Sequence, residues 1–330
     1  MRKPLQPLTR DDSQVIKGLA ILLMIMHHVL IPEFYLNAWS SLNGFVCIHI
    51  RMCGKLCVGI FAFVTAYGYA FTERRDLEYS LSHIIRLLKI YWPICIFTVI
   101  LCVLYSHQFD FKEVLLNLFG LSNKYNCANW YVYFYIYSML ILPLIAKLID
   151  SFKVWSLLTI VLLCGITCSI LEPVDIRWVR IMCACLFYTP VLVAGYFFGK
   201  IDWSTVKYKF SVMDLILILA FGLIVSALFY AFFKGFTPFT FTAPMVIFSV
   251  AALFRRLDLP HLYGFLKRLG QLSSYMWFIH AIFFSTKTRM IFQQQSFWPD
   301  NIILVYLFVT VISFVIATLI VKIKSSLKTV

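Results

Sequence analysis

Ten largely apolar runs, at residues 15–32, 56–72, 84–106, 130–148, 154–171, 180–199, 211–231, 238–254, 271–286 and 301–322, dominate the chain and leave only short connections between them. A helix needs about 20 apolar residues to cross the hydrocarbon of a bilayer, so ten crossings fill a chain of 330 residues. No stretch remains for a sizeable domain outside the membrane. Composition agrees: 62% of residues are hydrophobic, 13% are charged and the mean hydropathy is +0.86, against roughly 45–50% and about 25% in soluble domains. The expected fold is all-α and polytopic, a single integral-membrane domain over residues 1–330. Residues 1–14 and 323–330 are expected to be terminal segments outside the bilayer. The first run ends in His27, His28 and Pro32 without a small-residue cleavage site, so it is expected to persist as a membrane helix.

The net charge of +14 would suggest nucleic acid in a soluble chain, but here the basic residues sit in short clusters between apolar runs. That is a topological pattern, and the expected partner is a bilayer. With the N-terminus inside, 17 Lys and Arg residues belong to inner segments and 9 to outer ones, and Arg86 and Lys89 lie at the inner end of the third run. Both termini are thus expected to be cytoplasmic in a cell membrane. The closest cysteine spacings are Cys53-x3-Cys57, Cys164-x3-Cys168 and Cys183-x-Cys185. With neither a CxxC pair nor a nearby histidine, the cysteines read as packing residues and no metal site is expected. The absence of a visible internal repeat weighs against the transporter folds built from repeats.

Ionisable groups within a span are costly and need a reason. Lys17 and His28 are eleven residues apart, three helical turns and about 20°, which places them on one face roughly 16 Å apart. His27 points about 100° away. A second imidazole, His280, lies ten residues beyond Gly270, about 15 Å along its helix and close to the depth of His28. Ser273, Trp277 and His280 form one stripe. Arg86 and Lys89, three apart on a helix face, form a cationic clamp: a guanidinium fork and an ammonium point charge suit a phosphate. Asn129-Trp130-Tyr131 offers an amide and two rings at an outer mouth. Each feature also has an ordinary structural reading, as a snorkelling lysine, a packed histidine, a topology anchor or an aromatic belt.

Five stretches in order resemble the membrane acyltransferase-3 family, multi-pass O-acyltransferases of cell-surface sugars. Ile16-Lys17 through His28 is similar to its first-helix motif, a basic residue, ten residues and a histidine. Cys57 to Gly68 resembles its phenylalanine-rich second helix, Arg86 to Pro93 its basic-x-x-basic motif ending in proline, and Trp130-Tyr131 through Pro143 its aromatic helix. Leu269 to His280 resembles its penultimate-helix signature. Lys17 and Lys89 stand where the family usually has Arg, and Thr65-Ala66 where it has Ser-Gly.

The resemblance implies transfer of an acyl group, expected to be acetyl from acetyl-CoA, to a sugar hydroxyl of a polysaccharide or its lipid-linked precursor. Acyl-CoA is then a co-substrate and no bound cofactor is expected. On this reading His28, assisted by Lys17, is the catalytic group. Arg86 and Lys89 bind the CoA nucleotide, and His280, Trp130, Tyr131 and Asn129 line the site or touch the acceptor. No hydrolase-like domain is expected after the last helix. The rival reading is a transporter or flippase passing an anionic glycan or small anion along the same cations and imidazoles.

Overall fold

A computed structural model describes residues 3–31, 50–51, 53–122, 124–125, 130–232, 239–284, 288, 291–292, 295, 298–299 and 301–327. Eleven long or regular helices follow in order: α1 (Arg10–Val29), α2 (Leu56–Tyr69), α3 (Leu77–Ser106), α4 (Phe111–Leu118), α5 (Trp130–Phe152), α6 (Val154–Leu171), α7 (Arg177–Gly199), α8 (Val212–Phe232), α9 (Phe239–Leu257), α10 (Pro260–Phe284) and α11 (Ile302–Ser326). A small antiparallel ribbon pairs β1 (Lys3–Pro4) with β2 (Lys209–Phe210). The chain is thus an all-α membrane protein with one short ribbon added.

Five helices, α3, α5, α6, α7 and α11, are long and apolar enough to cross a membrane, while α2 and the Val212–Ser226 part of α8 are apolar but shorter. In α1 the apolar run is interrupted by Lys17, His27 and His28. The largest differences from the sequence expectation are three. The third helix begins at Leu77 rather than residue 84, because Asp76 Oδ1 accepts the Tyr79 amide at 2.7 Å and caps an amphipathic first turn. The helix carrying His280 begins at Pro260 rather than residue 271, proline being well suited to a first helical position. The third difference is α4, which has no counterpart among the ten runs; at eight residues it is about 12 Å long and does not span a bilayer.

The described chain divides into two compact units, each assembled from separate segments: unit 1 is Met1–Ala20, Lys55–Leu81 and Tyr137–Gly270, and unit 2 is Ile21–Gly54, Ser82–Ile136 and Gln271–Val330. In unit 1, Thr9 and Asp12 form a reciprocal cap on α1: the Thr9 amide donates to Asp12 Oδ2 at 2.8 Å and the Asp12 amide to Thr9 Oγ1 at 3.1 Å. Arg255 donates to both oxygens of Asp12 and, at 2.7 Å, to the Pro7 carbonyl. Arg256 donates to the carbonyls of Lys3 and Phe210, 2.9 and 2.7 Å away, which ties both ribbon strands to the end of α9. Lys267 pairs with Asp11 at 2.6 Å, and Arg75 with Asp150 at 2.9 Å.

Two glycines in this unit let helices touch at backbone distance. A Cβ at Gly18 would lie 2.0 Å from the Leu266 carbonyl oxygen, and one at Gly270 would lie 1.8 Å from that of Gln14. Small residues at such crossings are how membrane helices gain close van der Waals packing.

In unit 2, α4 is capped by Asp110, whose Oδ1 accepts the Glu113 amide at 3.2 Å, and Asp110 also pairs with Lys124 at 2.8 Å. Carbonyls at the far end of α4 also accept side-chain donors from α3. Tyr91 OH donates to Asn117 O at 2.5 Å and Trp92 Nε1 to Leu118 O at 2.9 Å.

Candidate functional site

The two histidines that the sequence places at one depth meet in unit 2. His28, near the end of α1, has its ring Nδ1 3.2 Å from the Met24 carbonyl oxygen one turn earlier. His280, on α10, has Nδ1 3.1 Å from the Met276 carbonyl oxygen and Nε2 3.1 Å from His28 Nδ1. The ring centroids are 5.0 Å apart. Phe284, one turn beyond His280, stacks on His28 at 5.9 Å and lies at the same distance from His280. His280 is fully buried at 0% exposure, whereas His28 keeps part of its surface accessible. Among the described residues His28 Nε2 has no hydrogen-bond partner.

His27 faces elsewhere, as its 100° offset requires. Its Nδ1–H donates to the Arg51 carbonyl at 2.8 Å, and its ring meets His28 edge-on at 5.3 Å. Gly54 packs against it so closely that an added Cβ would sit 2.8 Å from His27 Cβ. His27 thereby anchors the stretch before α2 to α1. That stretch brings in Arg51, which the sequence reading counted only as an outer charge. Its carbonyl is held by His27, whose ring abuts His28, and its Nε is buried with no partner among the described residues.

Aromatic residues form a buried wall beside the imidazoles. Tyr131 of α5 stacks on Trp277, one turn before His280, with centroids 4.1 Å apart and planes 29° apart. Trp130 meets Tyr131 edge-on at 6.3 Å. Tyr131 and Trp277 are 7% and 2% exposed, so this ring pair is a packed stack; Trp130 is half-buried. From α3, Tyr91 packs on Phe278 at 4.9 Å. Asn129, the remaining expected acceptor contact, lies outside the described residues.

Arg86 and Lys89 also belong to unit 2, and both are exposed. They share the outward arc of α3 with Leu81, Ile85, Trp92, Ile96 and Phe97, while Ile84, Leu87, Leu88 and Tyr91 are buried. The pair therefore faces out of the unit, and neither cation has an ion-pair partner among the described residues. Lys17 lies in unit 1, half-buried, without a hydrogen bond or ion pair among the described residues. The buried Gln14 Oε1, one turn earlier, is likewise unpartnered among them. The structure thus brings His28, His280 and Arg51 into one cluster within unit 2, and describes Lys17 in the other unit.

Among the described residues no group of three or more His, Cys, Asp or Glu side chains is placed to hold a metal ion. A cleft of about 490 Å3 in unit 1 is lined by Asp150, Lys153, Phe197 and Lys200 and contains none of the residues singled out from the sequence.

Chemically, the cluster offers one accessible imidazole, a second buried imidazole bonded to it, and a nearby cation. An imidazole exchanges protons near neutral pH, and a fixed positive charge stabilises a developing oxyanion. Acyl transfer to a hydroxyl needs both. A family model described as an acyltransferase domain matches residues 11–322. No curated protein and no solved structure matches the chain.

Proposed function

The chain belongs to the acyltransferase-3 family and is a membrane acyltransferase, and from this we propose that it is an O-acetyltransferase moving an acetyl group from cytoplasmic acetyl-CoA to a sugar hydroxyl of a cell-surface polysaccharide or its lipid-linked precursor. The single observation that carries this reading is the bonded pair His28–His280, one ring accessible and one buried. His28 Nε2 takes the proton from the acceptor hydroxyl as its oxygen attacks the thioester carbonyl. Negative charge then develops on the carbonyl oxygen, where the Arg51 guanidinium offsets it. As the C–S bond breaks, the CoA sulfur leaves and takes the proton from His28, so the imidazole returns to its starting state.

Arg86 and Lys89 hold phosphate oxygens of the donor nucleotide. Charge, spacing and the lack of ion pairs among the described residues support this assignment; outward exposure suits a group that docks from the inner membrane surface. The protein sits in the cell membrane with ten crossings and both termini cytoplasmic. This count follows if every described helix except α4 spans, and it agrees with the 17 to 9 division of basic residues.

The test is an assay of purified protein in nanodiscs with [14C]acetyl-CoA and a panel of surface glycans. Free CoA thiol should appear in step with label in one acceptor. Movement of an anionic glycan across the membrane with no thiol release would replace this reading with a transport function.

A further inference from the structure

Hydrogen-bond partners fix where the protons of the two imidazoles stand. A backbone carbonyl oxygen only accepts. His280 Nδ1, 3.1 Å from Met276 O, must therefore carry a proton. In the neutral ring this leaves Nε2 as a bare lone pair, and that lone pair faces His28 Nδ1 at 3.1 Å. His28 Nδ1 lies between two acceptors, His280 Nε2 and Met24 O at 3.2 Å, and so it too carries the proton. The reverse assignment, with His280 Nε2 donating, turns bare nitrogens toward both carbonyl oxygens and leaves each contact repulsive. Phe284 covers both rings and His280 is fully buried, so no bulk water stands in for a missing partner there.

We propose that His280 is a positioning residue: by accepting from His28 Nδ1–H it locks His28 in the tautomer whose Nε2 lone pair faces the acceptor hydroxyl. The proposal deepens the acyltransferase reading and its catalytic consequence rests on it. An oriented partner on the far nitrogen is the logic of the third member of a Ser-His-Asp triad, here supplied by a neutral ring with its own orientation set by a helix carbonyl. The contact also favours the transition state over the ground state. Once His28 has taken the proton on Nε2, its Nδ1–H is a charged donor, and the bond to His280 Nε2 strengthens. His280 therefore contributes to turnover without touching either substrate.

The position demands an acceptor where Nε2 stands. Glutamine at 280 carries an amide oxygen at that reach, whereas leucine fills the space with none. The experiment combines side-chain 15N NMR of histidine-labelled protein in bilayers with steady-state kinetics of wild type, His280→Gln and His280→Leu. In the wild type His28 should show a protonated Nδ1 and a bare Nε2. In His280→Leu that preference should weaken, because the Met24 carbonyl alone then holds the Nδ1 proton, with kcat about 10- to 100-fold lower and both KM values within about twofold, the size expected for a lost bond to a charged donor. His280→Gln should retain most of the rate.

A wild-type His28 protonated on Nε2 would overturn the proposal, as would a leucine variant with unchanged tautomer and kcat. If His280→Leu fails to fold, the wild-type spectrum and the rate of His280→Gln still decide it. Because the spectrum needs no turnover, failure of the tautomer assignment is distinct from failure of the acyltransferase reading: active protein with the wrong tautomer sinks only this proposal.

Discussion

Replacing Asp12 by Ala removes a carboxylate that caps α1 and neutralises Arg255 at the same time. Asp12 is 2% exposed and Arg255 23%. The carboxylate accepts from the Thr9 amide at 2.8 Å, Thr9 Oγ1 at 2.6 Å and Arg255 Nε at 3.3 Å. Loss of an N-terminal cap costs about 0.5–2 kcal/mol, and loss of a hydrogen bond to a charged partner about 1.5–3 kcal/mol. The guanidinium left behind retains some solvent and the Pro7 carbonyl, so the expected total is about 2–4 kcal/mol. Asp12→Ala/Arg255→Met should recover part of that loss, because no unpaired charge then remains. The coupling between the two sites follows from the four-variant cycle.

Acid should expose the same interaction. Burial by itself raises the Asp12 carboxyl, but hydrogen bonds from Arg255 and Thr9 and the Arg255 charge outweigh it and hold the group below its ordinary value. A lowered carboxyl contributes stability that is complete above the unfolded value, about 3.9, and is lost as pH falls through the folded one. Thermal unfolding in detergent should therefore show a constant gap between wild type and Asp12→Ala from pH 7 to pH 5, narrowing below about pH 4. A zero coupling in the cycle, or a gap that survives unchanged in acid, would refute the reasoning.

Gly270→Ala should sharply reduce the yield of monodisperse protein, since its Cβ would meet a backbone oxygen at 1.8 Å, while Gly264→Ala on the same helix should behave as wild type because nothing lies within 4 Å; size-exclusion chromatography of the two compares them directly. Arg51→Met should lower kcat by about tenfold or more with little change in donor KM, as loss of one oxyanion partner does. Arg86→Ala and Lys89→Ala should each weaken acetyl-CoA binding about tenfold, the lower end for a charge-assisted contact because both side chains are exposed. Lys89→Arg should bind at least as well as wild type. Unchanged affinity in the double alanine variant returns the pair to the role of lipid-phosphate anchors.

Apolar run length located ten of the eleven described helices, five of which are long and apolar enough to cross a membrane. It misplaced the starts of α3 and α10, since their first turns are amphipathic and are set by Asp76 and Pro260 rather than by hydropathy. The short helix α4 is stabilised by a cap and by tyrosine and tryptophan donors from α3, partners far off in sequence. His28 and His280 were legible as a pair because helical rise converts residue number into depth. Arg51 was not, because nothing periodic fixes the approach of the stretch before α2; the bond from His27 to its carbonyl does. Nor does sequence spacing tell an open aromatic mouth from the buried stack of Tyr131 on Trp277. On α3, apolar spacing put Arg86 and Lys89 on one face, but only the buried Tyr91 and its neighbours show that this face points outward.

The mechanism turns on the role of His28 as the base of the acyl transfer. It is tested most directly by comparing wild type, His27→Ala and His28→Ala, each confirmed as folded and monodisperse, for release of free thiol from acetyl-CoA in the presence of the acceptor. His28→Ala should lose about 100-fold or more of the turnover number, within the range for a general base, while His27→Ala should stay within about tenfold of wild type. Turnover by His28→Ala at the wild-type rate, or loss of activity only on replacing His27, would contradict it.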